Sequence, residues 1–155
     1  MTFDHVAIAV SDLDAAVALW CDAFGLVCEH VEEVPAQRVR VAFLGPGVRA
    51  GETRALHEPG VRTGETRAEH RGPARIELIQ ATDPDAGVAR FLGDRGAAMH
   101  HVAFAVADLA AALGATTLPK IDAAPRPGAE GHSVAFLHPR GTGGVLVELV
   151  GEGGA

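Results

Sequence analysis

His5-Val6-Ala7-Ile8-Ala9-Val10-Ser11-Asp12-Leu13-Asp14-Ala15-Ala16 returns 96 residues later as His101-Val102-Ala103-Phe104-Ala105-Val106-Ala107-Asp108-Leu109-Ala110-Ala111-Ala112, with nine of twelve positions identical. Two more matches follow in the same order. Val41-Ala42-Phe43-Leu44-Gly45-Pro46 mirrors Val134-Ala135-Phe136-Leu137-His138-Pro139, and Ile76-Glu77-Leu78-Ile79 mirrors Val147-Glu148-Leu149-Val150. A match in three places with conserved order is a duplicated module, not shared composition.

Each module reads as a strand, a helix and three strands. Residues 3–10 are short, apolar and partly β-branched, which predicts a strand. Ser11 is a suitable N-cap for a helix over 12–24, and Gly25 a suitable stop. Leu13, Ala16, Val17 and Trp20 share one face of that helix. Strands are expected near 27–34, 38–44 and 74–80. Residues 83–95 read as a connecting helix ended by Gly96. The second module repeats the plan, with a strand near 99–106, a short helix from Asp108, and strands near 118–122, 132–138 and 144–150. The fold class is therefore α+β: one domain over 1–155, with module 1 at about 1–80 and module 2 at about 99–150. Residues 46–74 fit neither module. They are rich in Gly, Arg, Glu and Thr, carry a small repeat at an offset of 13 residues (Gly47 to Arg54 and Gly60 to Arg67), and read as a mobile loop or hairpin inserted between two strands.

Composition narrows the function. With 155 residues, 48% hydrophobic and 21% charged, the chain can bury a core. A net charge of -7 argues against nucleic acid as a partner, although a few local arginines can still bind a small anion. The start has no basic segment followed by an apolar run, and no apolar run is long enough for a bilayer, so a cytoplasmic location without a membrane partner is expected. Cys21 and Cys28 read as small core or near-surface residues.

Strand alternation places His5, Ala7 and Ala9 on one face and Val6, Ile8 and Val10 on the other; His101, Ala103 and Ala105 repeat the first set. The bulky sets are fit to pack against helices, and the alanines leave room beside each histidine. Glu77 and Glu148 each interrupt an apolar strand. An ionised carboxylate there is costly unless it is paired or binds a cation. A lone histidine at a strand start is usually structural, but a repeated His and Glu in equivalent places points to one shared cation. His5, Glu77, His101 and Glu148 are therefore the expected metal ligands. Two imidazoles and two carboxylates suit Co²⁺, Ni²⁺, Mn²⁺, Fe²⁺ or Zn²⁺ and leave positions open for substrate. His100 faces away from His101 and reads as structural or as support behind the ligands. His132 and His138 read as rim or surface residues, and His30, His57 and His70 have no motif around them.

A duplicated βαβββ unit carrying His…Glu…His…Glu resembles the vicinal-oxygen-chelate superfamily, which includes glyoxalase I, extradiol dioxygenases and drug-binding resistance proteins. Four finer segments look like the methylmalonyl-CoA epimerase family. They are Asp4 to Val10, Phe91-Leu92 ahead of Met99 to Phe104, Pro125-Arg126-Pro127-Gly128-Ala129-Glu130-Gly131, and Phe136-Leu137-His138-Pro139 continuing through Gly143 to Leu149. That resemblance implies interconversion of (R)- and (S)-methylmalonyl-CoA through an enolate. It also implies a divalent ion, Co²⁺ first, on His5, His101 and Glu148 with Glu77 at the remaining place; the sequence leaves open whether the modules pair within one chain or across two, and a homodimer is expected. Some relatives have a glutamate, proposed as a proton-transfer base, where this chain has Val41, so Glu77 and Glu148 are assigned as the catalytic pair. Lys120, Arg126 and Arg140 are candidates for the anionic CoA tail. Glyoxalase I-like chemistry and a non-catalytic binding module are the rival readings; a three-ligand dioxygenase would leave Glu77 superfluous.

Overall fold

The computed structural model describes residues 1–46 and 75–151. The expectation of a loop or hairpin over 46–74 therefore lies outside the described residues except at Pro46, which ends a strand. Module 1 consists of β1 (Thr2–Val10), α1 (Leu13–Phe24), β2 (Leu26–Val34), β3 (Val39–Pro46) and β4 (Arg75–Ala81). After α2 (Gly87–Leu92), module 2 follows with β5 (Ala97–Ala105), α3 (Leu109–Ala115), β6 (Arg126–Pro127), β7 (Ser133–Leu137) and β8 (Val147–Gly151).

All eight strands form one mixed sheet in the order β2-β3-β4-β1-β5-β8-β7-β6. The order is palindromic by module. In each half the first strand pairs parallel with the last, β1 with β4 and β5 with β8, and the last pairs antiparallel with the one before it. Antiparallel pairing of β1 with β5 joins the halves, so the two modules meet within one chain.

Alternation sets the two layers. Ile8 and Val10 pack with Leu13, Ala16, Val17 and Trp20 of α1, and Phe104 and Val106 pack with Leu109, Ala112 and Leu113 of α3. The opposite face of β1 and β5 is lined by the fully buried Ala7, Ala9 and Ala103, which leave space under the curl of the sheet.

Three local expectations are corrected. The α1 N-cap is Asp12, not Ser11: Asp12 Oδ1 accepts the Ala15 N–H at 3.0 Å, and Asp108 does the same for Ala111 at 2.8 Å. The connecting helix is shorter than 83–95. Asp83 Oδ1 instead accepts the Asp85 N–H in a turn around Pro84, and Gly93, at φ 55°, ends α2 where an ordinary residue would be strained. No strand spans 118–122; Lys120 makes an isolated bridge to Leu137, and the edge strand is the two-residue β6. Pro119, Pro125 and Pro127 lack the N–H groups a longer ladder needs.

Candidate metal centre

The sheet register brings the repeated residues to one point. On the seam, His5 lies opposite Ala103 and His101 opposite Ala7, so the two histidines sit diagonally across β1 and β5. Glu77 lies opposite both Ala7 and Phe43; Glu148 lies opposite both Ala103 and Phe136. Each carboxylate thus sits beside an alanine, the one side chain small enough to let it lean toward the seam.

The outcome is a cluster of four buried polar side chains. His5 Nε2 and His101 Nε2 are 3.2 Å apart. Glu77 Oε2 is 3.4 Å from His5 Nε2 and 3.5 Å from His101 Nε2, and Glu148 Oε2 is 3.3 Å from each. Ligand atoms about 2.1 Å from a common ion lie about 3.0 Å apart at right angles and about 3.4 Å apart in a tetrahedron. The spacings among His5, Glu77 and His101 match a shared cation, and Glu148 Oε2 lies against both histidine nitrogens of that group. Glu77 Oε2 is buried without a hydrogen-bond partner, as a ligand atom would be.

Electrostatics around the cluster show what a cation would replace. Burial alone would lower the His5 pKa, but the neighbouring carboxylates of Asp4, Glu148 and Glu77 outweigh it and hold the value up at about 11. Burial would raise Glu148, but its bonds to His101 and His5 pull it down to about 2. Without a metal, a proton on His5 serves as the positive charge the two carboxylates require.

Behind the candidate ligands stand Asp4, to which sequence reading assigns no role, and His100, expected to be structural or to support them. Asp4 Oδ1 is 2.8 Å from His5 Nδ1, and His100 Nδ1 is 2.9 Å from His101 Nδ1. Asp4 and His100 are equivalent positions of the repeat. A ligand histidine that offers Nε2 to an ion carries its proton on Nδ1, so Asp4 and His100 are both placed to accept it. Burial and repulsion from His101 push His100 down to about 4, so it is a neutral acceptor at ordinary pH. Phe43 and Phe136 meet the edges of His5 and His101 at centroid distances of 5.6 and 5.2 Å. Arg75 stacks on the Phe43 ring and Arg126 on the Phe136 ring. The spacing of Arg75, two residues before Glu77 on β4, was the available signal for its place in the cavity.

The ligand cavity is walled by Val34, Val39, Val41, Ile79, Val134 and Val150, with Arg75 and Glu130 also lining it. Its free space is about 20 Å³, enough for a water-sized occupant. None of the three basic residues expected near a CoA tail lines this cavity. Arg126 pairs with Asp122 at 3.1 Å and lines an adjoining cavity of about 260 Å³ behind His101; Lys120 and Arg140 are exposed and line neither. Among the described residues, no helix is long and apolar enough to cross a membrane.

Comparison with known proteins follows the same line. Residues 4–136 match the model of the Glyoxalase/Bleomycin resistance protein/Dioxygenase superfamily. The uncharacterized protein YqjC of Bacillus subtilis is 33% identical, over 94% of this chain and 89% of its own. The ethylmalonyl-CoA/methylmalonyl-CoA epimerase of Cereibacter sphaeroides is 30% identical over 94% of both chains. A solved methylmalonyl-CoA epimerase in complex with methylmalonyl-CoA and NH4+ superposes with a TM-score of 0.77 at 29% identity, covering 97% of this chain and 94% of that one.

Proposed function

The chain belongs to the glyoxalase/bleomycin resistance protein/dioxygenase superfamily, and on that footing we propose that it is a metal-dependent methylmalonyl-CoA epimerase. The buried cluster in which Glu77 and Glu148 each lie 3.3–3.5 Å from both His5 and His101, themselves 3.2 Å apart, carries the reading. The epimerases among its relatives and structural neighbours supply the substrate class.

His5, His101, Glu77 and Glu148 would hold a divalent ion, with Co²⁺ our first choice. When bound, that ion supplies positive charge for the thioester oxygen as the acidic proton leaves the carbon between two carbonyl groups. The remaining work belongs to the chain. Inversion needs a proton acceptor on one face of a planar intermediate and a donor on the other. Glu77 and Glu148 approach the site from opposite halves of the sheet, and we assign them those two roles. The valine-rich wall excludes water from the carbanion. Lys120, Arg126 and Arg140 are proposed to meet the CoA phosphates outside the cavity, and the working state is proposed to be a cytoplasmic homodimer.

Incubation with methylmalonyl-CoA in heavy water, with metal supplied or chelated, tests the reading. Metal-dependent deuterium uptake at the α-carbon is expected; none in either condition removes the epimerase. One observation favours a second reading. The buried, apolar Val41 stands in the cavity wall where some relatives have a glutamate, and a glyoxalase I-like lyase would use the two-histidine, two-glutamate set without it. Turnover of the glutathione hemithioacetal of methylglyoxal, with no exchange into methylmalonyl-CoA, would select that alternative.

A further inference from the structure

We propose that Arg75 receives the free carboxylate of the substrate, and that Glu130 is an internal counter-ion which the substrate displaces. The proposal rests on the acyl-CoA reading above and adds a specificity determinant to it.

Arg75 is held from three sides. It stands on the interior strand β4 directly opposite His5, on the same face as Glu77. Its guanidinium carbon lies 4.3 Å from the centroid of Phe43, the ring that also meets His5. Its two terminal nitrogens donate to both oxygens of Glu130, Nη1 to Oε1 at 3.0 Å and Nη2 to Oε2 at 2.6 Å. This is the forked geometry by which a guanidinium recognises any carboxylate.

Charge gives the reason for a cation here. The ligand set brings two carboxylates, which one divalent ion balances. A substrate carboxylate adds a further negative charge inside a cavity that also contains Asp4. Arg75 is the one Lys or Arg side chain lining that cavity among the described residues.

Glu130 is built to yield. Its side chain is 25% exposed against 17% for Arg75, and it rides on a three-residue turn, Ala129–Gly131, at the rim. Its backbone has φ 53°, an uncommon conformation for a residue with a side chain. The Glu130 N–H donates to Glu32, so the backbone stays anchored if the carboxylate swings away. With the ion pair closed, the free space of about 20 Å³ is too small for a branched malonyl group. Opening the pair vacates the guanidinium fork and the volume of the Glu130 carboxylate together.

The test is calorimetric binding of methylmalonyl-CoA and of propionyl-CoA, which lacks the carboxylate, to the metal-loaded protein. Arg75→Met should weaken methylmalonyl-CoA on the order of 10- to 100-fold and leave propionyl-CoA unchanged, because the lost bond is to a charged group. Arg75→Lys should fall between, since an ammonium keeps the charge without the fork. Glu130→Gln should tighten methylmalonyl-CoA alone. Equal losses for both thioesters in Arg75→Met and Arg75→Lys, or no loss in either, overturn the proposal. Heavy-water exchange by the wild type separates this from the functional reading. If exchange fails, titration of methylmalonate against the Arg75 Nε–H resonance still decides: movement supports the anion site, and a static signal refutes it.

Discussion

The two halves of the site share a backbone plan and differ in what stands behind it. Each half supplies a histidine from its first strand, a glutamate from its last, and a phenylalanine that meets the imidazole edge-on. Behind His5 lies a carboxylate, Asp4; behind His101 lies a neutral imidazole, His100. On the outer side, Arg75 points into the ligand cavity, whereas the repeat-equivalent position in module 2 is Leu146. The repeat thus supplies a symmetric set of candidate ligands, and the difference one residue before each histidine makes the two histidines unequal. The interior of such a site is constrained by the ion it would share, while its support and its mouth are free to diverge.

That comparison can be broken most severely at the carboxylates. Glu77→Gln and Glu148→Gln should each lower turnover on the order of 10²- to 10⁴-fold, the usual worth of a positioned acid or base. Metal content of the purified variants would show how much ion binding survives. If Glu77→Gln turns over near normally while Glu148→Gln is dead, the halves are not equivalent in catalysis and Glu77 loses its role.

The supporting residues should give a smaller and graded effect. Asp4→Ala should reduce metal affinity on the order of 10- to 100-fold. His100→Ala should cost less, because a bond to a neutral acceptor is about half as strong as one to a charged acceptor. Competition against a chromogenic chelator measures both, and equal losses would erase the asymmetry between the modules.

Proton competition sharpens the same contrast. With its pKa held at about 11, His5 is protonated at neutral pH and must release that proton to bind an ion. Metal affinity should therefore rise about tenfold per pH unit between about pH 6 and pH 9. For the metal-free protein the sign reverses. Stability from protonated His5 is complete below its ordinary pKa of 6.5 and is lost as pH rises through about 11. A flat affinity profile would mean the proton is not there.

The smallest effect is expected at the helix caps. Asp12→Ala and Asp108→Ala each remove one side-chain acceptor from a helix start and should cost about 1 kcal/mol by urea denaturation. Near-equal losses are expected, since the capping geometry is the same in both modules.

The repeat made much of this legible. His5, His101, Glu77 and Glu148 stand out because each breaks an apolar strand at a repeated position, and strand alternation put His5 and His101 on the same face as the buried Ala7 and Ala103. The repeat also held the answer on capping: Ala107 stands where Ser11 does, so only Asp12 and Asp108 can cap both helices. Other features were illegible for physical reasons. Alternation cannot show that a strand near 118–122 fails, because prolines act by withholding N–H groups from a partner placed only in three dimensions. Arg75 and Glu130 are 55 residues apart without a counterpart in the repeat, so nothing in the sequence announces their pairing. His100 was expected to be structural or to support the candidate ligands, whereas Asp4 was in view but had no assigned role until the ring nitrogen it faces was located.

The seam between β1 and β5 has one more implication. Because each half owns one imidazole and one carboxylate of the cluster, a chain severed in the connection after β4 would yield two fragments, neither with a complete binding set. Ion uptake by the separated fragments would then follow second-order kinetics and climb with fragment concentration. At a fixed excess of metal, the intact polypeptide would load with a rate constant independent of protein concentration, with the metal acting as the clasp that the unbroken chain makes unnecessary.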